Sequence, residues 1–179
     1  MISNRSTDMS SFANRMVRAA KLDVNLYEEV EADKQAMGQA MGVVVLSSLA
    51  AGIGSVGATG INGLLLGTIA ALAGWFIWAL ITFYVGTKLL PEPQTEADYG
   101  ELLRTTGFSS SPGVLRIFGV VPLLGTIIFV VCGIWMLVAM IIAVRQALDY
   151  KSTWRAVGVC FIGWLIQGVL FWIVFSLFR

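Results

Sequence analysis

Apolar positions recur along the chain in two different patterns. From Ser10 to Lys34 they come at steps of three, four and seven, at Phe12, Met16, Ala19, Leu26 and Val30. That spacing makes one face of a helix apolar. Arg15, Arg18, Lys21 and a group of acids fill the other side. Leu22 and Asp23 interrupt the stripe, and Asn25 with Glu28 has the spacing of a capping box. The pattern predicts an amphipathic helix in two pieces, the second leading into the first apolar run. Such a helix lies on a membrane surface, binds a partner, or packs on the end of its own bundle.

After residue 35 the period is lost and the apolar positions become continuous. Four uncharged runs, about 36–56, 63–85, 123–144 and 156–178, each reach the roughly 20 residues that a helix needs to cross a bilayer core. Between the second and third runs the chain turns polar. Pro91 and Pro93 end the preceding helix. Thr95 followed by Asp98 predicts a short capped helix through Arg104, stopped at Gly107. Ser109-Ser110-Ser111-Pro112 then signals a new helix start, serine as cap and proline in the first turn. The apolar segment 112–121 that follows is closed by Pro122, and ten residues of α-helix rise only about 15 Å. It fits a short fifth span, a re-entrant hairpin, or the front of one long helix kinked at Pro122.

Charge placement separates these. With five spans, every basic residue of the twelve except Arg116 and Arg179 falls in the N-terminal segment or in loops on the same side. That is the positive-inside pattern. With four spans, Arg145, Lys151 and Arg155 would lie outside. The expectation is therefore all-α: a polytopic membrane helical bundle of about five transmembrane helices, one short, preceded by an amphipathic N-terminal helix. Residues 1–35 form a cytoplasmic segment and 36–179 the membrane domain, with the C-terminus outside. The first 35 residues lack the charged start and short apolar core of a signal peptide.

Composition agrees. The chain has 179 residues, 57% hydrophobic and 13% charged, too apolar for a water-soluble fold of this size. A net charge of +1 gives no reason to expect nucleic acid. Cys132 and Cys160 sit inside apolar runs and are read as small buried hydrophobes. There is no histidine, which removes the usual general base and metal ligand. No phosphate-binding loop, zinc spacing or nucleophile elbow occurs. No enzyme, cofactor or metal is indicated. The spans carry no acid, which argues against an ion-coupled carrier. The acids Glu28, Glu29, Glu31 and Asp33, and likewise Glu92, Glu96, Asp98 and Glu101, read as solvated faces.

Arg116 is the one ionisable residue inside an apolar run. Arginine at mid-membrane costs about 2.5–3.5 kcal/mol on insertion scales. It either snorkels to the cytoplasmic interface from its short helix or meets an acid such as Glu101, a lipid phosphate or a substrate. Arg104, Arg15 and Arg18 join these two as candidate partner or lipid contacts. Gly38 with Gly42, and Gly63 with Gly67 and Gly74, place small residues on one helix face, the spacing of close helix packing. Boundary Trp154 reads as an interfacial anchor, and Trp75 and Trp135 as packing.

An ordered set of short motifs runs through the second half: Gly74-Trp75-Phe76-Ile77-Trp78-Ala79-Leu80, Tyr84-Val85-Gly86, Glu101-Leu102-Leu103-Arg104, Gly107-Phe108, Ser111-Pro112-Gly113, Pro122, Ile134-Trp135 and Arg145-Gln146-Ala147-Leu148. Over roughly residues 15 to 178 this resembles the bacterial branch of the Yip family, the Ypt/Rab-interacting membrane proteins. The resemblance implies a five-span helical domain with a cytosolic N-terminus, in a bacterial inner membrane. Eukaryotic relatives bind Rab GTPases and act in vesicle traffic and membrane shaping. Their Asp-Leu-Tyr-Gly-Pro motif near the first span is absent; Asp98-Tyr99-Gly100 is a fragment of it elsewhere. The expected function is a non-enzymatic scaffold or accessory subunit that contacts membrane lipids and a membrane-protein partner or a second copy. The alternative is a small transport, channel or lipid-moving protein using Arg116 and the Pro112–Pro122 element; a third reading is bilayer shaping.

Overall fold

A computed structural model describes residues 3–121 and 123–177, with the side chains at 3–10, 56–63, 174, 175 and 177 left aside. Among the described residues every regular element is helical: α1 (Ser3–Ala20), α2 (Val24–Ala32), α3 (Met37–Gly54), α4 (Val56–Tyr84), α5 (Tyr99–Phe108), α6 (Gly125–Ala147) and α7 (Thr153–Leu177). A 3₁₀ turn, Lys34–Ala36, leads into α3, a π turn, Val85–Leu89, extends α4, and a 3₁₀ segment, Ser111–Val120, follows α5. Four stretches are long and apolar enough to cross a membrane: Lys34–Gly54, Leu64–Leu89, Gly125–Ala147 and Thr153–Ile173. Large apolar side chains such as Leu66, Ile69, Ile134 and Trp172 stand exposed along them, as lipid-facing positions do. The protein is an all-helical, multi-pass membrane bundle.

The α1–α2 corner is closed differently from the sequence expectation. Leu22 takes a left-handed φ of 62°, and the Asp23 amide bonds back to the Arg18 carbonyl at 3.1 Å. This closes α1 in the manner of a Schellman motif. The turn aims Asp23 at the next helix, so Asp23, not Asn25, caps α2, accepting from the Asn25 amide at 3.0 Å. Asp98 rather than Thr95 likewise caps α5, in a full capping box with Glu101, while the Thr95 hydroxyl accepts from the Glu92 amide at 2.9 Å. The expected loop 57–62 is also helical: only Ser55 separates α3 from α4. Pro122, and the outer limit Phe178 of the last expected span, lie outside the described residues.

The fifth crossing element starts earlier than Pro112. Gly107 faces Ala40 near the start of α3, Gly113 faces Ser47 in its middle, and the carbonyl of Arg116 with Gly119 faces Gly54 at its end. α5 and the 3₁₀ segment therefore run parallel to α3 from its first turns to its last. Ten residues of α-helix and ten of 3₁₀ helix together rise about 35 Å, enough for a core of about 30 Å. α4 returns beside α3 (Leu64 against Gly52), α6 comes back from Phe129 at Gly54, and α7 passes Trp78 at Gly163 and Gly74 at Gln167. One end of the bundle thus gathers the starts of α3, α5 and α7 with the ends of α4 and α6. All described acidic side chains lie there, on α2, on the segments flanking it, between the π turn and the first turn of α5, or at Asp149.

The glycines that let helices touch are not the ones the spacing singled out. A Cβ at Gly38 or Gly67 would meet nothing within 4 Å, and at Gly42 or Gly74 it would find ordinary contacts at 3.5 and 3.7 Å. The surroundings of Gly63 lie outside the described residues. A four-residue spacing puts small residues on one face; it does not determine whether another helix covers that face. The tight crossings fall instead at Gly52, Gly54, Gly86, Gly107, Gly113 and Gly119.

Candidate functional site

The charged end is built inward from α1. The Arg15 guanidinium donates to Glu29, Asp33 and Gln39, each at 2.9 Å, and Arg18 donates to Asp23 at 2.7 Å and Glu29 at 2.6 Å. Arg18 holds the Asp23 carboxyl below its usual range by that hydrogen bond. Trp135 reaches up from α6 to donate its indole N–H to the Ala20 carbonyl at 2.7 Å. Both candidate contact arginines of α1 are thus engaged inside the chain, fastening α1 to α2 and α3. Glu29 and Asp33, expected as solvated acids, are their partners. Glu92 is also engaged, accepting from the Lys151 and Ser152 amides at 3.1 and 3.2 Å.

Arg104 is only 4% exposed. Its Nε donates to the carbonyls of Val30 at 2.9 Å and Glu31 at 3.1 Å, and Nη2 also meets the Glu31 carbonyl. These are orphan acceptors in the last turn of α2, so Arg104 serves as an internal cap. Glu101 is occupied at the α5 N-terminus, accepting from the Asp98 amide at 2.7 Å. Among the described residues, neither Glu101 nor any other acid meets Arg116.

Two of the cavities take in candidate residues. The first, of about 510 Å³, opens at the charged end between α2, α5 and the α6–α7 turn. Glu28, Glu31, Glu101 and Asp149 line it, against Arg145 and Lys151. Burial pushes the Glu31 carboxyl up to about 8, with the charges of Glu101, Asp149 and Glu28 adding to the shift and Arg104 opposing it. The folded chain therefore holds this proton more tightly than the unfolded chain does. The associated stability is complete below about pH 4.5, falls as pH rises, and is gone above about 8. Glu31→Gln is expected to flatten the pH dependence of the unfolding temperature across that window and to make the protein more stable than wild type at pH 9. Parallel melting curves from pH 5 to 9 check it; identical slopes for the two proteins refute it.

The second cavity, of about 340 Å³, lies at membrane depth among α3, α4, α6, α7 and the 3₁₀ segment. Arg116, Ser47, Ser48, Ser110 and Gln167 contribute its polar groups, and Trp75 and Met136 are among its apolar ones. The Arg116 side chain turns back along its own segment toward Met136, whose sulfur it meets. Met136 lies against Gly113 and Ser47. The guanidinium thus points to the middle of the bundle, not out toward either end, and the snorkelling expectation fails. Nothing in the sequence singled out Ser47; Gln167, the one amide in the last span, was a signal left unread. Trp75, expected as packing, also donates to the Thr106 hydroxyl at 3.1 Å.

Residues 27–175 match the family model described as the Yip1 domain. This chain belongs to the Yip1 domain family. No curated protein and no solved structure matches it. The matched region begins inside α2 and ends inside α7. The Yip1 domain thus contains both cavities, Arg104 and the two carbonyls that Arg104 caps. α1, with Arg15 and Arg18, precedes it.

Proposed function

We propose that this Yip1-domain protein is a non-enzymatic scaffold or accessory subunit of a bacterial inner membrane, its charged end cytoplasmic, its C-terminus outside. The observation that carries this reading is the acid-lined groove. Its walls come from α2, α5 and the α6–α7 turn; Arg104 ties α5 to α2, Gln146 bonded to Glu28 at 2.9 Å ties the end of α6 to α2, and Tyr150 bonded to the Gly86 and Leu90 carbonyls at 2.8 and 2.7 Å fixes the turn to the end of α4. A fixed polar groove with four acidic side chains, Glu31 among them holding its proton up to about pH 8, fits a lysine- or arginine-rich segment of a membrane-protein partner. The lack of histidine, and of any acid inside the spans, supports a role without chemistry. Folded as it is against its own bundle, α1 serves this reading as a brace. A lipid-moving role has its own support in the cavity around Arg116.

The test is mild-detergent purification of the tagged full chain from its native membrane, with mass spectrometry of what accompanies it. A stoichiometric membrane-protein companion is expected with the wild type and lost with a Glu28→Lys/Asp149→Lys double variant whose unfolding temperature is unchanged. Recovery of the chain alone, or retention of the companion by the double variant, overturns the reading.

A further inference from the structure

The membrane-depth cavity contains a cation that meets no counter-charge among the described residues. Arg116 Nε is buried and has no hydrogen-bond partner among the described residues, and its Nη2 meets a thioether, a weak acceptor. No acidic side chain occurs between residues 34 and 91, or between 102 and 148, or after 149. That holds also for residues 56–63 at the nearby end of the bundle. Among the described residues, no acidic side chain therefore lies at this depth. A guanidinium in this position, aimed away from both interfaces, is strongly unfavourable unless an anion from outside the chain meets it.

We propose that this cavity binds a phosphate-bearing anion, in the headgroup of an anionic phospholipid or as free phosphate. A guanidinium pairs with phosphate through two parallel N–H donors. Arg116 keeps its Nη1/Nη2 edge for this, since Met136 meets Nη2, which carries two hydrogens, and Nη1 meets nothing among the described residues. Around it, Ser47, Ser110 and Gln167 add polar groups to the same wall. The rest of the lining is apolar, Trp75, Met136 and Phe171 among it, which suits acyl chains. Phe171 is 60% exposed on the outer surface of α7, so the cavity opens toward lipid. The inference does not depend on the scaffold reading, which rests on the opposite, acidic end.

The test follows the unfolding temperature of the delipidated full chain in a neutral detergent. The added probes are phosphatidylglycerol, phosphatidylcholine and sodium phosphate, used on wild type, Arg116→Gln and Arg116→Lys. Wild type is expected to gain about 5 °C with saturating phosphatidylglycerol and nothing with phosphatidylcholine. Arg116→Gln should show no gain, and Arg116→Lys a reduced one. Arg116→Gln is also expected to be at least as stable as wild type without ligand, because it removes a buried unpaired charge. If sodium phosphate alone reproduces the gain in wild type only, the site stands and its ligand is the free anion. Equal gains with phosphatidylcholine, equal gains in Arg116→Gln, or no gain with any probe overturn the proposal.

Discussion

Arg104→Met is expected to destabilise the protein by about 2–4 kcal/mol, more than any surface substitution. Two carbonyls at the end of α2, those of Val30 and Glu31, lose the donor that satisfies them. An orphaned buried acceptor costs about 1–3 kcal/mol. Methionine fills most of the arginine's volume, so the loss reads the hydrogen bonds and not an empty space. Arg104→Lys should recover part of it, because one ammonium can meet one carbonyl but lacks the planar fork that reaches both. The measurement is thermal or denaturant unfolding in detergent, followed by tryptophan fluorescence. An unfolding midpoint for Arg104→Met within one degree of wild type would show that α2 does not depend on this cap.

The second large effect is expected at Gly107. A Cβ there would stand 2.8 Å from the Ala40 side chain, 3.1 Å from its carbonyl and 3.1 Å from Trp75. The first two contacts belong to the start of α3 and cannot swing aside, and α5 is buried from Leu102 to Ser109. Gly107→Leu forces α5 from α3 and is expected to cost about 3 kcal/mol. Gly38→Leu, a change of the same kind on an open face, should stay within about 0.5 kcal/mol of wild type. Comparing detergent-extracted monodisperse yield and melting temperature of the two variants separates the structure's packing glycines from those that spacing alone selects. Equal losses would refute the assignment.

The four long spans were legible because length and unbroken apolarity suffice to mark a membrane helix. The fifth crossing was legible only in half. Glu101, Arg104, Thr105, Thr106 and Ser109 make α5 look like a loop helix to any hydropathy count. The structure shows how it is buried nonetheless: the hydroxyls of Thr105, Thr106 and Ser109 donate to carbonyls of the same segment, and Trp75 donates to Thr106. Hydroxyls satisfied in this way carry little of the penalty that a polar count assigns them. Arg116 was visible as an anomaly, but the direction of its side chain was not, since that depends on the Gly113 crossing and on Met136 from another helix. Arg15, Arg18 and Arg104 look in sequence like exposed charges. Their partners lie between 5 and 74 residues away, at separations that no local pattern encodes.

The crossing shared between α5 and the 3₁₀ segment also bears on how the chain enters its membrane. Each of the four apolar helices closes its backbone hydrogen bonds within itself and can leave the insertion machinery alone. The α5 segment cannot, because its burial rests on Ala40, Ser47 and Trp75 being already in place on α3 and α4. Its transfer into lipid must wait for those two helices to be laid down, so this crossing is committed to the bilayer after them and not by its own apolarity.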